Sequence, residues 1–320
     1  LKKIELHTHL EGSITPARLC ELSAKYGQPG VPLNCLDEDG LRFRSHGFHG
    51  FLDLFRRVTS ILRTPADFHS LALDLGAQLA ADEVVYAEVT VSFGVLQLRG
   101  IDPWSVQQAL AEAAHQVVET DGVVLRWIPD AVRQFGVDAA WRAWEQAARA
   151  GRELGVVGFG LGGDESSGPV ADFAPLFADV KTEGLGVTIH AGEVPDMGAA
   201  GLRSVRDAVE VCGADRIGHG LVAADDPLLL ATLAAREIFV ELCPRSNVLT
   251  GALASLEQYP LRAFLEAGVP CCLNTDDRTL FGLDLAGEYR AAAETLGLEA
   301  NEAAAMQAAA RKAAFSEIGI

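Results

Sequence analysis

Short apolar runs alternate with longer amphipathic stretches along the whole chain. Eight runs stand out: 3–7 (KIELH), 84–91 (VVYAEVTV), 123–128 (VVLRWI), 156–161 (VVGFGL), 186–190 (GVTIH), 216–219 (RIGH), 238–242 (IFVEL) and 269–275 (VPCCLNT). Most are continuous and β-branched, the pattern of strands buried on both faces. Between them, Phe68, Leu71, Leu75 and Leu79 recur near a helical period, as do Val137, Trp141, Trp144, Ala148 and Leu154. Asp226-Pro227 reads as a helix start, with Asp as N-cap and Pro at the first helical position. Eight strands, each followed by helix, predict an α/β fold of the TIM (β/α)8 type. An open doubly wound sheet is the competing arrangement.

The interval after the first run is long. Residues 16–82 hold about three helical patterns where one is expected, opened by Thr15-Pro16. The second pattern, 48–62 (FHGFLDLFRRVTSIL), is rich in aromatics and arginine. A helical insertion after the first strand would sit over the mouth of a barrel, so a lid at about 40–60 is expected, with a packing decoration as the alternative. There is no internal repeat, linker or run of five like charges, so a single domain over 1–320 is expected.

Composition narrows the partners. With 49% apolar residues over 320 positions, the chain can bury a large core, which excludes a disordered chain or a disulfide-stapled miniprotein. Lys and Arg number 26 against 44 Asp and Glu, a net charge of −18. Such a chain repels phosphate backbones, so neither nucleic acid nor an anionic membrane is an expected partner. The six cysteines form no C-x-x-C pair, and Cys271 and Cys272 are adjacent. They read as core thiols of a reducing, cytoplasmic compartment. No run of about 18 apolar residues marks a membrane span. No signal peptide opens the chain, although Leu1 is not Met and a removed leader stays open.

Of the eight histidines, four stand at strand ends: His7 and His9 on the first run, His190 on the fifth and His219 on the sixth. Residues i and i+2 of a strand share a face, so His7 and His9 can reach one ion. Asp276 and Asp277 follow the eighth run. A barrel gathers these ends at one rim, and imidazoles with a carboxylate are a usual Zn²⁺ set. His46, His49, His69 and His115 fall in helical patterns or loops and read as surface or packing residues, although His49 would approach a substrate beneath a lid. Glu193, three residues past His190, is placed to exchange a proton with a substrate, and burial would keep it protonated. The glycines of 160–165 (GLGGDE) allow close backbone approach to a ligand, but they are not a G-x-G-x-x-G loop. No phosphate loop, H-E-x-x-H helix or H-x-E…P-C-x-x-C signature occurs. No lysine ends the fourth run, so one metal per chain is expected rather than two.

At these residues the sequence resembles the adenosine deaminase family. The matching segments run nearly end to end: ELHTHLEGS at 5–13, VVYAEVTVS at 84–92, VVGFGLGGDE at 156–165, HAGE at 190–193, RIGHG at 216–220, ELCPRSN at 241–247 and LNTDD at 273–277. The resemblance implies that His7, His9, His190 and Asp276 bind Zn²⁺. It implies that Glu193 protonates purine N1 and that His219 acts as base toward the attacking water. Asp277 would hold that water and accept on the N7 side. Gly163 would offer its N–H to N3, and Glu11 would hold a sugar hydroxyl beside His9.

Four positions depart from adenosine-specific members, which usually carry Asp at 11, Asp at 160, Arg at 90 and Pro at 278. Here these are Glu11, Gly160, Thr90 and Arg278. The GFGLGG and AEVTVS stretches, with Arg126-Trp127, are similar to the aminodeoxyfutalosine deaminases. The expected function is zinc-dependent hydrolytic deamination at C6 of a small purine nucleoside, adenosine or 2′-deoxyadenosine first. Aminodeoxyfutalosine is the alternative. Free adenine, or an inactive barrel serving as a binding module, stands behind both.

Overall fold

The eight apolar runs are eight parallel strands in the computed structural model, which describes residues 2–27, 35–36, 43 and 47–319. They are β1 (Lys3–His9), β2 (Val84–Val91), β3 (Val124–Val132), β4 (Gly158–Gly162), β5 (Gly186–Ala191), β6 (Arg216–His219), β7 (Phe239–Leu242) and β8 (Cys271–Leu273). Each strand pairs with the next in sequence. A parallel bridge between Thr8 and Asp276 brings the end of β8 back to β1. His9 N–H donates to the Asp276 carbonyl (3.0 Å) and Asp276 N–H to the His7 carbonyl (3.1 Å). The result is the expected TIM-type barrel.

Two strand bounds differ instructively. β3 runs four residues past the expected end at Ile128, through Pro129 and Asp130 to Val132. Pro-Asp reads as a turn, but Pro129 enters the ladder opposite Val91 and carries the strand on. β8 stops after three residues because Asn274 turns its side chain onto β1, where Oδ1 accepts from the N–H groups of Leu6 and His7 (3.0 and 3.1 Å).

Three helices lie between β1 and β2: α1 (Pro16–Lys25), α2 (Gly47–Thr59) and α3 (Pro65–Ala81). Thr15 caps α1 by accepting from Arg18 N–H (3.0 Å), and Pro16 takes the first helical position. Phe68, Leu71, Leu75 and Leu79 form the buried face of α3. His46, and all of 40–46 except Phe43, lie outside the described residues, so α2 is the described part of the expected lid. Arg99, beyond β2, holds the far end of α2: its guanidinium donates to the carbonyls of Thr59 (2.6 Å), Ser60 (2.7 Å) and Leu62 (2.8 Å).

The Asp226 cap forms as read, its carboxylate accepting from the N–H groups of Leu228 and Leu229. Arg278 is fully buried and reaches away from the barrel mouth to Glu5 (3.3 Å) and Asp82, bracing β1 against the start of β2. Its place after the paired aspartates is thus structural. Five cysteines are buried as expected, and Cys20 on α1 is exposed. No described helix is long and apolar enough to cross a membrane.

Candidate active site

The carboxyl ends of β1, β5 and β8 bring His7, His9, His190 and Asp276 together, with one ligand atom of each within 4.8 Å of all the others. Asp276 Oδ1 lies 3.4 Å from His7 Nε2 and 3.2 Å from His9 Nε2. His190 Nε2 is 3.3 Å from His9 Nε2. These distances suit donors around a common centre better than they suit each other. His7 Nε2 in particular is buried and makes no hydrogen bond, although its other nitrogen is fixed: Nδ1 donates to Glu241 Oε2 at 2.6 Å. That bond aims the Nε2 lone pair into the cluster, the usual device for orienting a ligating histidine.

The electrostatics agree. Burial alone would lower the imidazoles of His7 and His9, but Asp276, joined by Glu241 at His7 and by Asp277 and Asp130 at His9, pushes them up to about 9 and about 10. The cluster is therefore a place where positive charge is favoured. Burial and the neighbouring imidazoles hold His190 well below its ordinary value, so it is neutral and ready to ligate. An imidazole-rich donor set with one carboxylate fits a single Zn²⁺. His7 also lies within ligating distance of His219 and Cys243, but burial drives the Cys243 thiol far up and keeps it protonated.

Behind His7 runs a buried chain of charge. Glu241 also takes Arg216 Nε at 2.6 Å and the Thr188 hydroxyl at 3.0 Å. Arg216 Nη1 then meets Glu88 at 2.6 Å, and Glu88 accepts from the Tyr86 hydroxyl and from Phe315 N–H, each at 2.6 Å. The orientation of His7 is thus anchored through the barrel floor.

Glu193 and His219 face each other across the cluster, with His219 Nε2 3.8 Å from Glu193 Oε2 and 4.0 Å from Asp276 Oδ2. Burial first, then Asp276 and Glu165, pushes Glu193 up to about 8. The loop carrying Glu193 is pinned by Glu165, which accepts from the N–H groups of Gly192 (2.5 Å) and Glu193 (3.0 Å). Burial lowers His219 to about 4, so its imidazole is neutral. Its Nδ1 lies 3.3 Å from the Asn247 amide. Both His219 (φ +64°) and Asp276 (φ +63°) are non-glycine residues held in the left-handed region, a conformation costing on the order of 1–3 kcal/mol each. Such strain gathers where the chain must aim a side chain rather than relax.

Asp276 and Asp277 divide sharply. Asp276 is held well below the carboxylate range by His7 and His9 despite its burial, whereas burial and the charge of Asp276 push Asp277 up to about 8. Asp277 Oδ1 is buried without a partner.

A cavity of about 670 Å³ opens above these residues and is lined by His9, Gly163, His190, Glu193, His219, Asp276 and Asp277 on its inner side. Its outer wall comes from Phe51, Leu52 and Phe55 of α2 with Val95, Leu98 and Phe135. Gly163 sits at φ +92°, and a Cβ there would lie 2.3 Å from Gln134 Oε1, so only glycine fits. Glu11 is buried but is not part of the cavity wall. Its Oε1 accepts from Ser92 N–H at 3.0 Å. Ser92 and Asp130 line the cavity in its stead, joined by a 2.9 Å hydrogen bond from Ser92 Oγ to Asp130 Oδ1. His69 and His115 lie outside this group on their helices.

The sequence profile of the adenosine deaminase family matches residues 2–318. The chain belongs to that family. It is a hydrolase acting on C–N bonds, as the deaminases among its relatives are. It is 38% identical to an aminodeoxyfutalosine deaminase of Acidothermus cellulolyticus over 93% of this chain and 83% of that one. It is 36% identical to an adenine deaminase of Rhizobium leguminosarum bv. trifolii over 98% and 95% of the two chains. Among solved structures it resembles an Arabidopsis N6-mAMP deaminase at 26% identity, with a TM-score of 0.86 over 99% of this chain and 94% of that one. A Burkholderia ambifaria amidohydrolase with bound Zn shares the fold at a TM-score of 0.87 and 24% identity, over 99% and 86% of the chains.

The deaminase thus brings together every residue proposed for metal binding and proton transfer, and sets Glu11 behind the wall. Asp130, Glu165, Glu241 and Asn247 were not singled out from the sequence. Asp130 was hidden by the Pro129 that precedes it. Glu241 and Asn247 sit inside the ELCPRSN segment, where a charged and an amide residue beside a buried strand were the available signal.

Proposed function

We propose that this deaminase acts on aminodeoxyfutalosine, removing the amino group at C6 of its adenine ring with one Zn²⁺ held by His7, His9, His190 and Asp276. The observation that carries the reading is the cavity. At about 670 Å³ it is far larger than a free base needs, and its outer wall is apolar and aromatic. That wall suits a nucleoside whose sugar carries a bulky aromatic arm. The 38% identical relative acts on that compound by name. This reading moves adenosine and 2′-deoxyadenosine, the first expectation from the sequence, to second-rank substrates.

A bound zinc ion would supply a Lewis acid that makes water nucleophilic near neutral pH. The remaining work falls to the chain. Glu193, still protonated near neutrality, donates to ring N1, which keeps negative charge from building on the purine. Neutral His219 takes a proton from the attacking water. Its Nε2 is free to do so when Asn247 presents Oδ1, otherwise unpartnered, to Nδ1–H. Asp277, which carries its own proton up to about pH 8, donates to N7. N7 has only a lone pair, so this hydrogen bond runs opposite to the direction expected from the sequence. Gly163 gives its N–H to N3. The amino nitrogen takes the proton held by His219 and leaves as ammonia, while the new C6 hydroxyl returns a proton to Glu193 as the carbonyl forms.

A second reading, free adenine, is favoured by the 36% identical relative, which matches over nearly its whole length. Ammonia release from aminodeoxyfutalosine, adenosine, 2′-deoxyadenosine and adenine, measured side by side, separates them. The proposal expects the highest kcat/KM for aminodeoxyfutalosine. A preference for adenine would replace it with the second reading.

A further inference from the structure

We propose that Asp130 and Ser92 form the specificity-determining pair that receives the cis-diol of a ribose, so that the enzyme reads a ribonucleoside rather than a base or a 2′-deoxynucleoside. The inference rests on the C6-deaminase reading for the orientation of the substrate.

The argument begins with the barrel's circular order. The metal cluster and the proton carriers come from the ends of β1, β5, β6 and β8. β2, β3 and β4 contribute none of them. Whatever part of the substrate lies against those three strands is therefore the part turned away from the reacting carbon. Within this sector, Asp130 on β3 and Ser92 at the end of β2 are the carboxyl and hydroxyl groups of the cavity wall.

The pair is built rather than incidental. Ser92 is held at both of its polar groups, its N–H donating to Glu11 Oε1 (3.0 Å) and its hydroxyl to Asp130 Oδ1 (2.9 Å). Glu11 thereby acts on the substrate through Ser92, one residue removed from the wall. Across the sheet, Asp130 is the register partner of Gly160. A Cβ at Gly160 would lie 3.3 Å from the Asp130 Cβ, and one at Gly162 would lie 2.9 Å from Asp130 Oδ2. Two glycines on β4 thus clear the space into which this carboxyl projects.

The chemistry names the ligand group. Asp130 is only 4% exposed, and a carboxyl so buried is retained at a cost unless something donates to it. Asp130 Oδ2 accepts from one hydroxyl. The Ser92 oxygen, having given its proton to Asp130, has lone pairs for a second. Two acceptors joined by one hydrogen bond match two hydroxyls on neighbouring sugar carbons. A free base offers neither hydroxyl, and a 2′-deoxyribose offers one fewer.

The test compares wild type with Asp130→Ala, Asp130→Asn and Ser92→Ala, using adenosine, 2′-deoxyadenosine and adenine as substrates, with zinc content measured on each variant. Asp130→Ala is expected to lose about ten- to a hundred-fold in kcat/KM on adenosine, mostly in KM. Its loss on 2′-deoxyadenosine should be smaller, and on adenine under about threefold. Ser92→Ala should follow the same order more weakly. Calorimetric binding of inosine and hypoxanthine to the same zinc-loaded proteins reads the pair without turnover: only inosine should weaken. An equal loss on adenosine and adenine, a fall in zinc content, or unchanged inosine affinity in Asp130→Ala would each overturn the proposal. If wild type releases ammonia from none of these three and none from aminodeoxyfutalosine, the deaminase reading fails, and the inosine and hypoxanthine affinities still decide the role of the pair.

Discussion

The two sides of the cavity are built on different principles. On the reacting side, side chains leave strand ends whose backbones are strained at His219 and Asp276, and carboxyls are driven apart in acidity by burial and by one another. Nearly every polar group there is tied from behind, His7 by Glu241, the Glu193 loop by Glu165 and Asp276 by Ser246 (2.6 Å). On the far side the wall is largely apolar and hangs from α2, whose end and the turn after it are tied down by the side chain of Arg99 at the carbonyls of Thr59, Ser60 and Leu62. The contrast teaches that the reaction is specified by rigid strand ends, and the substrate by a surface that can be altered without disturbing them.

Changes on the reacting side should be the most damaging. Asp276→Ala removes the only carboxylate of the metal set and should leave zinc substoichiometric, with turnover at background. Stoichiometric zinc in that variant, measured by elemental analysis, would break the assignment. Glu193→Gln should keep the metal and lose about a thousandfold in kcat. Wild-type activity should also fall above about pH 8, because Glu193 must hold its proton to donate it and the protonated fraction declines as pH rises past that value. Asp277 loses its proton in the same range, so the alkaline limb of Glu193→Gln should be shallower than that of wild type rather than absent. One step further from the chemistry, Glu241→Gln should weaken zinc binding about ten- to a hundred-fold, read by competition with a chelator. Arg99→Met, on the far side, should cost only a few-fold in KM, with kcat and zinc content unchanged and faster proteolysis in α2. A collapse of kcat in that variant would erase the distinction between the two sides.

Much of this was legible because strand ends write themselves into sequence. His7 and His9, His190, His219 and Asp276 each close an apolar run, and a barrel must gather such ends at one rim. The far side was less legible for physical reasons. Its wall is assembled from α2, from the segment after β2 and from β3, and apolar residues on helices give no signal that separates a cavity wall from a core. Asp130 was concealed because proline at 129 breaks the expected ladder pattern. Glu11, by contrast, was visible in the motif, but sequence could not tell that Ser92 would stand between it and the cavity. Arg278 shows another limit: the sequence marked it only as a departure from proline, and its guanidinium turns inward to Glu5 and Asp82.

The bridge between Thr8 and Asp276 also sets a timetable for the growing chain. It joins residues 268 apart, and the ion's donors come from both extremes of the sequence as well as its middle. A nascent chain that has not yet made β8 holds the two histidines of β1 without their carboxylate. Closing so distant a contact is an entropically late event in folding. The complete binding site therefore exists only in the finished barrel, and metal at a thousand times its dissociation constant would favour that state by about 4 kcal/mol. The zinc proposed above would then stabilise the finished chain as well as serve its reaction.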